Sequence, residues 1–352
     1  MKTIIHIVGN RPQFIKLAVL YKELATDANI NQEIIHTGQH YSFNMSDIFF
    51  AELKIPKPTL NFNINNNTTT IFVQEATEKL YQYFLQKNNT IVFVYGDTNT
   101  TLAAALAAKN AKLPLLHFEA GVRTYDNTMP EEINRVQTDK LAEINYCCTQ
   151  KNYETMLAEG FDANKVIQTG DLMLDAFLKI EASKSNVVKT LKYIACTIHR
   201  EANLSSKENL TQIIHALNKI NNSIAVVMPI HPHTQKRILE YNINIEFVTT
   251  PALGYADMKK VLLDSEYVIT DSGGASREAY FLKKKSLIIM DKPFWPEIIE
   301  QNCSLYTTAN ECKIIEKNNA LSFLKPNFET NIFGNGNAAK NIHTHISKYL
   351  LV

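Results

Sequence analysis

The feature that most constrains this chain is a repeated switch of hydrophobic period, from short apolar runs to longer stretches with helical spacing. "TIIHIV" reads as strand, "FIKLAVLYKEL" as helix and "EIIHT" as strand. Then come a short helix near "MSDIFFAEL", a longer one over "FVQEATEKLYQYFLQK", the strand "IVFVY", the helix "TLAAALAAK" and the strand "PLLHF". Strands that alternate with helices build a parallel α/β sheet. After "INYCCT" and "KVIQTG" the alternation restarts at "KYIACTI" and continues through "SIAVVMPI", "IEFVT", "EYVIT" and "SLIIM". The chain therefore reads as two similar α/β halves, and its 352 residues suit two domains of roughly 150 each. The break is expected between about Asp171 and Lys192, where "ASKSNVVKT" is polar and carries no strand period.

Several function classes drop out on composition. The formal net charge is +1, and no basic helix face or aromatic-interleaved basic patch overturns it, so neither nucleic acid nor an anionic membrane is an expected partner. Five cysteines without a CxxC pair give no disulfide framework and no cysteine metal pattern, which fits a reduced cytoplasmic setting. "MKTIIHIVGNRP" is too weakly apolar for a signal sequence and reads as the first strand. No run approaches the about 18 apolar residues of a membrane span. The Asn-rich "NFNINNNTTT" is assigned to a loop.

In open α/β sheets ligands bind beyond the carboxyl ends of strands, so two such halves are expected to share one cleft there. The residues at those ends are polar almost throughout: Arg11 and Lys16, Gln39 and His40, Asp97, Glu119 and Arg123, His199 and Arg200, His231, and Ser272. Such a row suits a large charged ligand. Each residue also has a plainer use. Arg11 and Lys16 suit a surface turn and a solvated helix cation, and Asp97 suits a helix N-cap. Glu131 and Glu132 suit the first turn of a helix dipole. Glu119 ends an apolar strand, where a carboxylate needs a partner, and Arg123 or Arg135 is the expected one. His199 suits a structural hydrogen bond. His231 and His233 are two residues apart, but no third ligand follows at metal spacing, so no metal is assigned. In "TDSGGASREAYF" the glycine pair either turns a strand into a helix or holds a phosphate at the helix N-terminus.

Taken in order, "GNRPQFIK", "HTGQHY", "YGDTNTTLAAALAA", "HFEAGVRT", "MPEEINR", "TGDLMLDA", "IHREAN", "TDSGGASREA" and "FGNGNAAK" resemble the non-hydrolysing UDP-N-acetylglucosamine 2-epimerase family from Met1 nearly to Val352. "RPQFIK", "HTGQHYSFNMSDIFFAELKIPKP", "YGDTNTT" and "TIHR" look like its branch acting on UDP-2,3-diacetamido-2,3-dideoxy-glucuronate. The resemblance implies the glycosyltransferase-B architecture: Rossmann-like domains over 1–171 and 172–336, with a C-terminal helix over 337–352 crossing back to the first. It implies a cytoplasmic homodimer that takes a UDP-sugar for surface polysaccharide synthesis and needs no cofactor. Proton transfer and charge stabilisation fall on Asp97, Glu119, Glu131 and His199. Nucleotide contacts fall on Arg11, Lys16, Ser272, Gly273, Gly274 and, for the ribose, Glu278, with Arg135 and His231 as further polar contacts. Gln39 and His40 match a pair at a second, activating pocket in some members, a regulation not extended here to the uronate branch.

The sequence departs from the family's usual pattern at "REAN", where Glu201, Ala202 and Asn203 follow the His-Arg pair, at "FLKKKSL" and before Trp295. Rival readings are a hydrolysing relative, a glycosyltransferase of the same architecture, and a catalytically dead nucleotide-sugar sensor.

Overall fold

Short apolar runs make short strands, and after several of them a polar residue caps the next helix. Asn10 accepts from the Gln13 N–H at 3.3 Å while the Gln13 side chain accepts from the Asn10 N–H at 3.3 Å. This reciprocal cap opens the helix Arg11–Leu24, with Pro12 in its first turn. Thr98 caps Asn99–Asn110 by accepting from the Thr101 N–H at 3.3 Å.

The computed structural model describes residues 2–38, 50–64, 68–184, 188 and 192–350. The chain divides into two units, Met1–Lys179 with Asn331–Val352, and Ile180–Thr330. In the first, strands β1 (Lys2–Val8), β2 (Ile30–His36), β3 (Leu60–Asn61), β4 (Thr90–Tyr95), β5 (Leu115–Ala120), β6 (Ile144–Cys147) and β7 (Val166–Gln168) form one sheet. Its order is β3-β2-β1-β4-β5-β6-β7, and every pairing is parallel. In the second, β8 (Tyr193–Thr197), β9 (Ala225–Ile230), β10 (Val248–Pro251), β11 (Val268–Thr270), β12 (Ser286–Ile289) and β13 (Ser304–Thr307) form a parallel sheet in the order β10-β9-β8-β11-β12-β13. Both are the doubly wound Rossmann order, in which the crossover direction reverses beside the first strand and opens a ligand crevice. That switch falls between β1 and β4, and between β8 and β11.

In the first unit Ile5, Ile7, Val92 and Val94 pack with Leu80 and Phe84 of the helix Thr69–Phe84 and with Ala104, Ala105, Ala107 and Ala108 of Asn99–Asn110. Alanine has the highest helix propensity and a side chain short enough to let this helix lie close to its neighbours. That explains its burial almost all round. Among the described residues no helix is long and apolar enough to cross a membrane. In the second unit Leu210, Ile213, Ile214 and Leu217 of the helix Lys207–Asn221 join Ile194, Cys196, Val226 and Ile269 in the core.

The helix Arg11–Leu24 packs against Leu172–Lys179 and against the C-terminal helix Ala338–Leu350. Asp175, fully buried on the first of these partners, accepts from the N–H groups of Ala338 and Ala339 at 3.0 and 2.9 Å. It thereby satisfies donors that a helix start otherwise leaves open. Asp175→Ala is expected to lower the unfolding free energy by about 1.5–3 kcal/mol, read from the urea midpoint. An unchanged midpoint would show that the helix docks without this carboxylate.

Three local expectations differ from the structure. The Asn-rich stretch is not all loop: Asn61 ends β3 and pairs with His36, while Thr69 and Thr70 begin a helix. Instead of "IEFVT", the strand is Val248–Pro251, an edge strand too exposed to show an apolar run. β13 went unread because its four residues, also at an edge, are half exposed. The short helix expected near Met45–Leu53 lies mostly outside the described residues, with 50–52 helical.

Candidate active site

The first unit collects its polar groups at the switch point. Gln13 donates to the Tyr95 carbonyl at 2.9 Å and to the hydroxyls of Thr98 and Thr101, each at 3.0 Å. The start of the first helix is thus bolted to the turn after β4. Arg11 lies half-buried on that first turn. Lys16, only 3% exposed, bonds the carboxylate of Glu119. Glu119 was expected to pair with Arg123 or Arg135, and the structure brings Lys16 to it. Both guanidiniums bond other carboxylates. Arg123 bonds Asp139 at 2.7 Å and Glu159 at 2.8 Å, and Arg135 bonds Glu132 at 2.7 Å and the Asp97 carboxylate.

Glu119 is also 9% exposed and has φ +74, where the β5–β6 register shifts between Phe118 and Ala120. A left-handed Glu inside a strand is costly and persists only where the surroundings hold it, as they do at functional sites. Asp97 follows Gly96, whose φ of +66 suits glycine. Its carbonyl accepts from Asn134 Nδ2 at 3.0 Å. Glu132 accepts from the N–H of Thr124 at 3.0 Å and of Tyr125 at 2.9 Å, pinning the loop ahead of its helix. Glu131, its neighbour, is half-buried.

In the second unit the organiser is Asp271, a residue missing from the expected site. Fully buried, it accepts from the N–H groups of His199 and Arg200 at 3.0 Å each and from Asn203 Nδ2 at 3.0 Å. This fixes the turn after β8 and leaves the His199 side chain 46% exposed, its Nδ1 3.8 Å from Asp271. The available signal was an Asp between the end of an apolar strand and a small-residue turn.

Ser272 caps the helix Gly273–Phe281 by accepting from the Ala275 N–H at 3.3 Å. Neither Gly273 nor Gly274 has positive φ, so the pair is not there to make the turn. A Cβ on Gly273 would lie 2.5 Å from the Phe294 ring, whereas one on Gly274 would meet only Ser272 Oγ at 3.6 Å. Phe294 in turn lies under the Arg200 guanidinium at 4.9 Å, and Trp295 donates to the Gly273 carbonyl at 3.1 Å. Gly273→Ala is expected to fold with about 1–3 kcal/mol less stability and to shift the emission of Trp295, the one tryptophan in the chain. Unchanged emission and urea midpoint would mean that Phe294 moves aside freely.

Glu278 is buried on the same helix. His231 caps the helix Pro232–Tyr241 by accepting from the His233 N–H at 3.2 Å, and His233 Nε2 lies 3.0 Å from Glu201. These two histidines serve separate bonds. Gln39 and His40 lie outside the described residues. Glu119, Cys148 and Asp171 bring potential metal-ligand atoms within 4.8 Å of one another, but the Lys16 ammonium already supplies a cation to Glu119.

Residues 22–347 match the family described as UDP-N-acetylglucosamine 2-epimerase. The UDP-2,3-diacetamido-2,3-dideoxy-D-glucuronate 2-epimerase of Pseudomonas aeruginosa is 34% identical over 351 residues, 98% of this chain and 99% of that protein. The crystal structure of Methanocaldococcus jannaschii UDP-GlcNAc 2-epimerase in complex with UDP-GlcNAc and UDP has a TM-score of 0.93 at 34% identity, covering 99% of this chain and 100% of that one. A lipopolysaccharide outer core galactosyltransferase, 12% identical with a TM-score of 0.54 over 99% of this chain and 100% of that one, shares the glycosyltransferase-B fold alone.

Proposed function

This chain belongs to the UDP-N-acetylglucosamine 2-epimerase family and is an isomerase of that type; we propose that it inverts carbon 2 of a UDP-linked 2-acetamido sugar by eliminating UDP and adding it back, without hydrolysis. Carbon 2 stands beside no carbonyl, so its proton is barely acidic while UDP is attached. As the bond from carbon 1 to oxygen breaks, its electron pair leaves with UDP and positive charge grows on carbon 1. The carbon 2 proton is then acidic enough for a carboxylate to take, and a 2-acetamidoglycal remains. Re-addition of UDP to carbon 1, with a proton delivered to the other face of carbon 2, gives the epimer. The chemistry needs acid/base groups for both faces and a cationic clamp for the leaving diphosphate.

One observation carries this reading. In the turn after β4 and near the end of the neighbouring strand β5, Asp97 and Glu119 are each bonded to a buried cation, Arg135 and Lys16, so two acid/base carboxylates are held before any substrate arrives. With Glu131 and His199 they take the proton-transfer and charge-stabilising roles. Arg11, Lys16, Arg135 and His231 supply polar contacts to the UDP-sugar. Ser272, Gly273 and Gly274 seat the diphosphate, and Glu278 takes the ribose. The open side of Gly274 supports that seat, because backbone N–H groups at a helix start suit a phosphate only where no side chain covers them.

The Pseudomonas relative at 34% identity supports the diacetamido-glucuronate as substrate, and the Methanocaldococcus enzyme, at the same 34% identity and a TM-score of 0.93, supports UDP-N-acetylglucosamine. A reduced cytoplasmic setting is supported by five free cysteines, four of them buried, and a homodimer by the family. Incubation with either sugar in deuterated water, followed by NMR, tests the proposal. Deuterium at carbon 2 of an intact, epimerised UDP-sugar is the expected result. Free sugar with UDP would make the enzyme a hydrolase, and inertness towards both sugars would overturn the substrate class.

A further inference from the structure

The polar residue inside β5, His117, takes part in none of the steps above. It is fully buried, and both ring nitrogens are engaged: Nδ1 lies 2.8 Å from Asp139 Oδ1, and Nε2 lies 2.8 Å from the carbonyl oxygen of Gly96. A main-chain carbonyl can only accept, so Nε2 carries a hydrogen. Asp139 also accepts from Arg123 at 2.7 Å and from the Gly121 N–H at 3.3 Å, the bonding of an ionised carboxylate, so Nδ1 carries a hydrogen as well. The groups that close this cluster come from several elements: Asp139 from the helix Pro130–Leu141, Arg123 from the loop after β5, and Glu159 from the end of Gln150–Ala158. Cys147 of β6 also feels the Asp139 charge. An imidazolium and a guanidinium stand against two carboxylates, so the cluster closes with no net charge.

The tie to chemistry is Gly96. It immediately precedes Asp97, and its own N–H donates to the Phe118 carbonyl at 2.8 Å. The turn that presents Asp97 is therefore clamped to β5 at both its amide and its carbonyl. We infer that His117, with hydrogen on both ring nitrogens, is a positioning residue that holds the Gly96–Asp97 turn and so sets where the Asp97 carboxylate meets the sugar. This rests on the reading of Asp97 as an acid/base residue. A displacement of about 1 Å at such a group can cost on the order of 10²-fold in rate.

Two variants separate positioning from bulk stability. Gln at 117 keeps a donor near the Nε2 position facing Gly96 and gives up the Asp139 bond, whereas Asn keeps the donor near Nδ1 and gives up Gly96. His117→Asn is expected to lose on the order of 10²-fold in kcat, and His117→Gln about tenfold or less, with KM for the UDP-sugar within about threefold in both. In wild-type protein labelled with 15N at histidine, one imidazole absent from the His117→Gln spectrum should show protons on both nitrogens at pH 7.5. Equal loss of kcat in the two variants in step with their urea midpoints, unaltered kcat in His117→Asn, or a 117 ring with one bare nitrogen would overturn the inference while the epimerase reading stands. A wild type inert towards both sugars would instead overturn the functional reading and the positioning role with it.

Discussion

Glu119→Gln is expected to lower kcat for epimerisation by about 10²- to 10⁴-fold, the usual contribution of a general acid or base. The side chain keeps its size and its hydrogen-bonding oxygen but can no longer take a proton. The same change removes the carboxylate that Lys16 bonds in a site where both side chains are nearly buried. An unpaired buried cation costs about 3–5 kcal/mol, so the variant should also be less stable. Stability and catalysis separate in the double variant Lys16→Met with Glu119→Gln, which removes both charges. Its urea midpoint should recover towards wild type, while deuterium uptake at carbon 2 stays lost. Near-wild-type turnover in Glu119→Gln would remove Glu119 from the mechanism. Asp97→Asn and His199→Ala are expected to cripple turnover in the same way.

The largest expected effect on stability is at Asp139. Its carboxylate accepts from His117, Arg123 and the Gly121 N–H, all inside the first unit. Asp139→Asn leaves His117 and Arg123 facing a neutral amide, a loss of about 3–5 kcal/mol at pH 7 and a large share of the about 5–15 kcal/mol that holds a domain folded. Burial by itself would raise the Asp139 carboxyl, but the hydrogen bond and charge of His117, with Arg123, overcome that and hold it below its ordinary value of 3.8. For a carboxyl lowered on folding, the stabilisation is complete above the unfolded value and is lost as pH falls through the folded one. The carboxyl's share of the gap between wild type and variant should therefore close progressively as pH falls below 3.8. Urea midpoints on that acid side test this, and a gap that widens as pH falls below 3.8 would contradict it.

The local features of the site were legible because they are local. Asp97, Glu119, His199 and Ser272 each follow an apolar strand in the sequence, and in the structure each stands at the end or carboxyl side of that strand. Partners were not legible. Glu119 lies two to four residues from Arg123's loop and sixteen from Arg135, yet bonds Lys16, which is 103 residues away. Which cation arrives depends on β1 and β5 both flanking β4, a matter of sheet order. The same holds for Asp271 and the turn at His199, brought together because β8 and β11 are neighbours. His117 had a signal, a polar residue inside the apolar "PLLHF", but its meaning needed Gly96 and Asp139 beside it.

By itself the amino-acid order determined the alternation of strand and helix, the two α/β halves and the polar residue that follows each strand, because hydrophobic period and capping act over a few residues. The tertiary structure decided which carboxylate meets which cation, that Glu119 is held at positive φ within its strand, and that Gly273 is needed to let Phe294 close in rather than to bend the chain. Those outcomes come from crossovers that bring distant segments together, and no short-range period encodes them.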